Sequence, residues 1–274
     1  MDRRTMLGAL SGFTISSIAR QSRAAADPSA DGNLVSAIHD ASDNRVPEML
    51  KTPLYRSDGL SKLFKSEVFL KCEHLQTTGS FKYRGASNSI RLLDAPRRRR
   101  GVVTASSGNH GLAVALAGRH AGVSVTVYAP STASSAKLDA IRSYGASLEL
   151  VDDGVTDGET KHSKAGRSAA NRTGRTFISP YNDLNVIAGQ GTIGLEILSE
   201  VPKTDLVFLS VGGGGLAGEW EPHWSPALPR PNLSAAGLIT RRRFCERLRQ
   251  GRFMMFLRGR RSRMEPRAGW SPAP

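Results

Sequence analysis

Between Glu67 and Val211 the chain alternates short apolar, β-branched runs with amphipathic stretches, and this alternation leaves few folds open. The runs Glu67–Lys71, Gly101–Ala105, Val123–Ala129, Ser147–Val151, Thr176–Ile178 and Leu206–Val211 read as buried strands. Between them, Arg84–Leu93, Asn109–Ala121, Ala133–Tyr144, Asp157–Arg172 and Val186–Glu200 carry helical periodicity. Two earlier helices are expected at Asn33–Lys51 and Ser57–Phe64. Strand and helix in turn argue for an α/β fold with parallel sheets covered on both faces. Gly122 and Gly145 stand where a C′ glycine would stop the helices before them. In such sheets, sites lie at the carboxyl ends of the strands.

Three segments occupy that position. The first is Thr78-Gly79-Ser80-Phe81-Lys82-Tyr83-Arg84-Gly85-Ala86, after the strand ending near Cys72 and at the opening of a helix. The positive end of a helix dipole disfavours a protonated amine, and a neutral amine is what condenses with a carbonyl. By itself Lys82 reads equally as an exposed lysine on a helix's first turn. The second is Ser106-Ser107-Gly108-Asn109-His110-Gly111, after Gly101–Ala105, where free N–H groups at a helix start form an anion site. Alone, it is also a Ser/Asn helix cap. The third is Gly212-Gly213-Gly214-Gly215, whose amides can close on a phosphate with no Cβ in the way. Alone, it is a flexible turn.

Taken in order with Thr52-Pro53-Leu54, Lys71–Gln76 and Val186–Leu198, these segments resemble the serine/threonine dehydratase and serine racemase family of fold type II pyridoxal-phosphate (PLP) enzymes. The resemblance covers roughly Asn33 to Gly218. It implies two interleaved open parallel-sheet domains of the tryptophan synthase β-like kind: a small one at 101–181 and a large one at 33–100 plus 182–218. It implies PLP as cofactor, held by Lys82 with Phe81, Asn109 (to the 3′-oxygen) and Gly212, Gly213, Gly214 and Gly215. Substrate carboxylate would be taken by Ser106, Ser107, Gly108, Asn109 and His110. Lys82 would serve as base at Cα, and Ser107 as the acid/base on the opposite face in racemases. The implied activity is conversion of a β-hydroxy amino acid, L-threonine or L-serine, to a 2-oxo acid and ammonia. An amino-acid racemase and a catalytically dead truncated paralogue are the alternatives. Family members are commonly homo-oligomers. Gly189-Gln190-Gly191-Thr192-Ile193-Gly194 also satisfies a dinucleotide pattern. Its preceding apolar run is too short and no acid follows at the needed distance, so it reads as a helix with glycines for close packing.

The ends differ from the middle. Residues 1–26 combine Arg3-Arg4, a mild apolar run and Ala24-Ala25-Ala26, the pattern of a twin-arginine signal directing export to the periplasm. An extension on a cytoplasmic enzyme is the alternative. After Gly218 the family pattern stops: Glu219-Trp220-Glu221-Pro222 stands where a helix should begin, and residues 219–274 are rich in Arg, Pro and Gly. A reading-frame change near Gly218 would give such a tail and leave the large domain incomplete. The pyridine-nitrogen partner and any cation site would be lost with it. An open sheet edge, uncovered apolar faces and aggregation are then expected, with at most a short amphipathic helix around Arg241–Leu257.

The formal net charge of +14 sits largely in this tail, with about a dozen arginines after Gly218, and in Arg97–Arg100, which reads as a solvated loop. Aromatic residues make up 6% and do not interleave with the basic runs, so nucleic acid is not an indicated partner. A basic interaction protein acting through Arg241–Arg267 remains a third reading. Cys72 and Cys245 form no disulfide framework, the six histidines show no metal spacing, and nothing after the N-terminus approaches a membrane span.

Overall fold

The computed structural model describes residues 28–64, 66–156, 159–202 and 204–209, together with two strands at 232–235 and 255–259. The signal-like segment, Gly212–Gly215 and most of the tail lie outside the described residues. The elements in order are α1 (Pro28–Asp43), β1 (Leu54–Arg56), α2 (Asp58–Phe64), β2 (Val68–Lys71) and a 3₁₀ turn (Glu73–Leu75). There follow α3 (Lys82–Arg91), α4 (Ala95–Arg100), β3 (Val102–Ala105), α5 (Asn109–Ala121), β4 (Val125–Pro130), α6 (Ser135–Ser143) and β5 (Ser147–Val151). The remainder are β6 (Val155–Thr156), β7 (Glu159–Thr160), α7 (Lys161–Thr173), β8 (Thr176–Phe177), α8 (Leu184–Glu200), β9 (Thr204–Leu209), β10 (Asn232–Ala235) and β11 (Met255–Gly259).

One sheet is wholly parallel, in the order β5-β4-β3-β8. Val125 and Val127 of β4 join the core built with α5, whereas Tyr128 lies against Gly166 of α7. Side chains of a strand alternate in direction, so the sheet is covered on both faces, as its apolar strands require. The second sheet, β1-β2-β11-β9-β10, departs from the all-parallel expectation. β11 runs antiparallel to both β2 and β9, and β10 runs parallel to β9. Both tail strands therefore flank β9, where an open edge was expected; unpaired backbone groups of a strand recruit any extended segment in reach. Met255–Leu257, the end of the expected amphipathic helix, belongs to β11, and the rest of that helix lies outside the described residues.

Other departures are local. The Arg97–Arg100 run is the body of helix α4 rather than a loop, because Asp94 Oδ1 accepts from Arg97 N at 2.7 Å and a proline sits in the first turn. Helix α1 stops at Asp43 instead of Lys51, ahead of Pro47, which cannot continue a helix. Helix α7 starts at Lys161, after the β6–β7 pair, while the start expected for it at Asp157 lies outside the described residues.

Helices α3 and α8 cross at backbone contact. A Cβ on Gly85 would stand 2.5 Å from the Val186 carbonyl oxygen, and one on Gly189 2.5 Å from that of Arg84. Next to this crossing lies a closed group of four charges. Arg84, on α3, donates from Nε to Glu73 Oε2 (2.8 Å), from Nη1 to Glu196 Oε1 (2.8 Å), and from Nη2 to Glu73 Oε1 and Glu196 Oε2 (both 2.9 Å). Lys71, at the end of β2, donates to Glu196 Oε2 (2.5 Å) and to the Thr52 carbonyl (2.7 Å). Lys71 and Arg84 are 0% exposed. Two cations thus meet two carboxylates out of water, with their donors and acceptors paired, which is the condition under which a buried ion cluster is tolerated.

Burial pushes the Glu196 carboxyl up, but hydrogen bonds from Arg84 and the charges of Arg84 and Lys71 outweigh it and hold the group below its ordinary 4.5. A depressed carboxylate stabilises the fold fully above its unfolded value and ceases to as pH falls through its folded value. Glu196→Gln leaves two buried cations facing one carboxylate. It is expected to cost about 3–5 kcal/mol in urea denaturation and to remove part of the loss of stability that wild type shows below about pH 4.5.

Candidate active site

Lys82 is the first residue of α3, and its position follows from the anchoring of that helix through Arg84, two residues on. Its Nζ donates to the Pro180 carbonyl at 2.9 Å and stands 5.0 Å from the Phe81 ring centre and 5.6 Å from that of Tyr181. Pro180 lies just beyond β8, so the Lys82 amine reaches the carboxyl edge of the parallel sheet. The segment Ile178–Pro180 is fastened there. Ile178 N donates to the Val103 carbonyl at 2.8 Å, and the Ile178 carbonyl accepts from Thr104 Oγ1 at 2.8 Å.

The same carboxyl edge carries Ser106–His110, between β3 and α5. Helix α5 starts at Asn109 after the extended Gly108, and no side chain caps its first turn. Ser106 Oγ instead accepts from Gly108 N at 3.1 Å, which shapes the loop and leaves the opening N–H groups of α5 pointing outward. Gly111 lets the helix approach the strand end, since a Cβ there would stand 2.2 Å from the Ser106 carbonyl oxygen. Ser107 and Asn109 are half-buried, and among the described residues their side chains have no hydrogen-bond partner.

His110 is buried, and its Nε2 lies 3.3 Å from the Ile178 carbonyl. A carbonyl only accepts, so Nε2 carries the proton and Nδ1 is the bare acceptor, with no partner among the described residues. Burial first, and then the charge of Lys82, lower its pKa from 6.5 to about 3, so the imidazole is neutral at physiological pH.

The structure thus brings Lys82, Phe81 and the whole Ser106–His110 loop to one edge; Gly212–Gly215 lie outside the described residues. Sequence reasoning missed Pro180 and Tyr181, since a backbone carbonyl and a loop aromatic carry no local signal. It also gave no role to Thr78 and Gln190, whose buried side-chain polar atoms have no partner among the described residues. Gln190 could have been noticed as an amide between the apolar run Val186–Gly189 and the apolar Ile193–Leu195 of α8.

A profile of the family described as pyridoxal-phosphate dependent enzyme (PALP) matches residues 47–221, more than half of the chain. The chain belongs to this family of PLP-dependent enzymes. Among its curated relatives is a serine racemase of Oryza sativa subsp. indica, 39% identical over 182 residues, covering 66% of this chain and 52% of the relative. The catabolic L-threonine dehydratase TdcB of Staphylococcus aureus (strain USA300) is 43% identical over 180 residues, covering 65% of this chain and 51% of the relative. The chain therefore spans about half the length of the curated relatives it matches. Maize serine racemase superposes with a TM-score of 0.62 at 35% identity, over 67% of this chain and 55% of that one. The processed form of threonine deaminase isoform 2 from Solanum lycopersicum gives 0.67 at 30% identity, over 76% and 59%.

The residues of the site fit the family's cofactor. An amine for its aldehyde and exposed helix N–H groups for an anion stand at one edge of the parallel sheet, and Thr78 Oγ1, His110 Nδ1 and the Gln190 amide are buried with no partner among the described residues. Because the folded His110 stays neutral down to about pH 3 while the unfolded one charges near 6.5, its burial stabilises the fold fully above pH 6.5 and progressively less below it. His110→Gln is expected to flatten the stability profile between those two pH values, measured by chemical denaturation at stepped pH; a profile parallel to wild type would contradict the assignment.

Proposed function

We propose that this chain carries the catalytic half-site of a PLP-dependent ammonia-lyase acting on a β-hydroxy amino acid, L-threonine or L-serine. The observation that carries the reading is the meeting of Lys82 Nζ with the Pro180 carbonyl beside the open start of α5. When bound, the cofactor supplies an electron sink for negative charge developing at Cα. Lys82, Phe81 and Asn109 are the groups present to hold it, and Gly212–Gly215 complete the set by resemblance.

The chain's own residues account for the rest. The N–H groups of Asn109–Gly111 and the Ser106 and Ser107 hydroxyls offer a positive end for the substrate carboxylate. Lys82 takes the Cα proton, the β-hydroxyl departs as water, and water re-entering the product releases ammonia from the 2-oxo acid. Neutral His110 beside Lys82 adds no second positive charge to oppose the amine as it takes up the Cα proton. Ile178, held by Thr104 and His110, fixes the carbonyl ridge that orients the amine.

A second reading is amino-acid racemisation. It is supported by the half-buried Ser107 hydroxyl without a partner, and by similarity to a serine racemase. The two differ at one hydroxyl: racemisation needs an acid on the face opposite the lysine, and elimination does not. Assembly as a homo-oligomer belongs to the same proposal, as does export, which the Arg3-Arg4 pair and Ala24-Ala25-Ala26 support.

Purified protein with PLP is expected to show a visible absorption band that Lys82→Ala removes, with turnover falling roughly 10²–10⁴-fold or more. In the ammonia-lyase reading, Ser107→Ala raises the KM for 2-oxo acid formation without stopping it, whereas D-enantiomer formation is abolished. A band that survives Lys82→Ala, or no band with excess PLP, overturns the proposal.

A further inference from the structure

An amide shut away from water without a hydrogen bond costs about 1–3 kcal/mol, so folded chains rarely keep one. Gln190 is such a group. It is 0% exposed, and among the described residues neither Nε2 nor Oε1 has a partner. The other buried polar side chains of α8 are satisfied: Thr192 Oγ1 donates to the Gly189 carbonyl at 2.8 Å, and Glu196 belongs to the four-charge group. Of the other side chains with unpaired buried atoms, His162 and Arg175 are bonded through another nitrogen. Thr78 and His110 flank Lys82, from the preceding turn and from α5.

Gln190 lies across Gly85, with its Cγ 3.0 Å from where a Cβ on that residue would stand. Gly85 follows Lys82 by three residues on α3, so Gln190 packs within one helical turn of the residue that bears the amine. A leucine or methionine would fill the same space with no polar atom to desolvate. The fold therefore keeps an amide where packing alone would favour a hydrocarbon, as sites built for a ligand do.

We propose that Gln190 is a coenzyme-binding residue whose amide N–H donates to an anionic oxygen of bound PLP. This rests on the PLP reading above. It differs from that reading in assigning a residue of α8, an element otherwise used only for packing and for the charge cluster.

The test compares the full chain with Gln190→Leu and Gln190→Met in two measurements: thermal unfolding without PLP, and absorbance titration with PLP. The expected result is that at least one variant unfolds at the wild-type temperature or above it, while binding PLP about tenfold more weakly. Variants that unfold earlier yet bind PLP as tightly as wild type overturn the assignment and make the amide structural. Wild-type protein that takes up no PLP overturns the coenzyme reading, and this assignment with it. Wild-type and variant affinities that agree overturn this assignment alone.

Discussion

Lys71, Arg84, Glu73 and Glu196 neutralise one another in the interior, and the position of the proposed catalytic amine, Lys82, depends on that closure. Each charge alone would be costly to bury; together they carry no net charge, and each head group has partners at hydrogen-bond distance. The cluster ties the end of β2, the 3₁₀ turn, α3 and α8 into one unit. Helix α3 cannot slide or roll without opening the bidentate contacts of Arg84, and Lys82 is two residues away. Glycine contacts between α3 and α8 reinforce the same registration by backbone proximity. The rigid part of the site is thus polar at its anchor and close-packed at its crossing.

Opposite this anchor, the parallel sheet supplies the other wall. β3 and β8 are neighbours, and the segments that leave their carboxyl ends provide an uncapped helix start on one side and the Pro180 carbonyl on the other. His110 links the two by reaching from α5 to the Ile178 carbonyl. The amine, the helix dipole and the neutral imidazole form a locally positive, partly dry setting suited to an anionic cofactor and an anionic substrate. Among the described residues His110 Nδ1 is buried there without a partner, while the buried polar groups of the charge cluster are matched.

Much of this was legible from residue order. The lysine at a helix start and the Ser-Ser-Gly-Asn-His loop after a strand carry local signals, since the spacing of strand, turn and helix is a short-range property. Helix α5 begins and ends where its pattern and Gly122 place it. The interactions that orient the site were not legible. Glu73 meets Arg84 across 11 residues, but Glu196 meets Lys71 across 125, and no local periodicity announces a contact of that range. Pro180 acts through a carbonyl that every residue possesses. The Arg97–Arg100 run was misread because charge pattern suggests a solvated loop, while a single aspartate cap and a proline suffice to wind six residues into a helix. The mixed sheet was missed because strand direction depends on which distant segment pairs with β9, which composition does not encode.

The most direct test of the central claim is chemical trapping. Protein equilibrated with PLP is reduced with borohydride, digested and mapped by mass spectrometry. The account predicts the pyridoxyl group on the peptide containing Lys82, and its disappearance in an Arg84 variant that loosens α3. A pyridoxyl group distributed over surface lysines, or seated on another lysine alone, would contradict it.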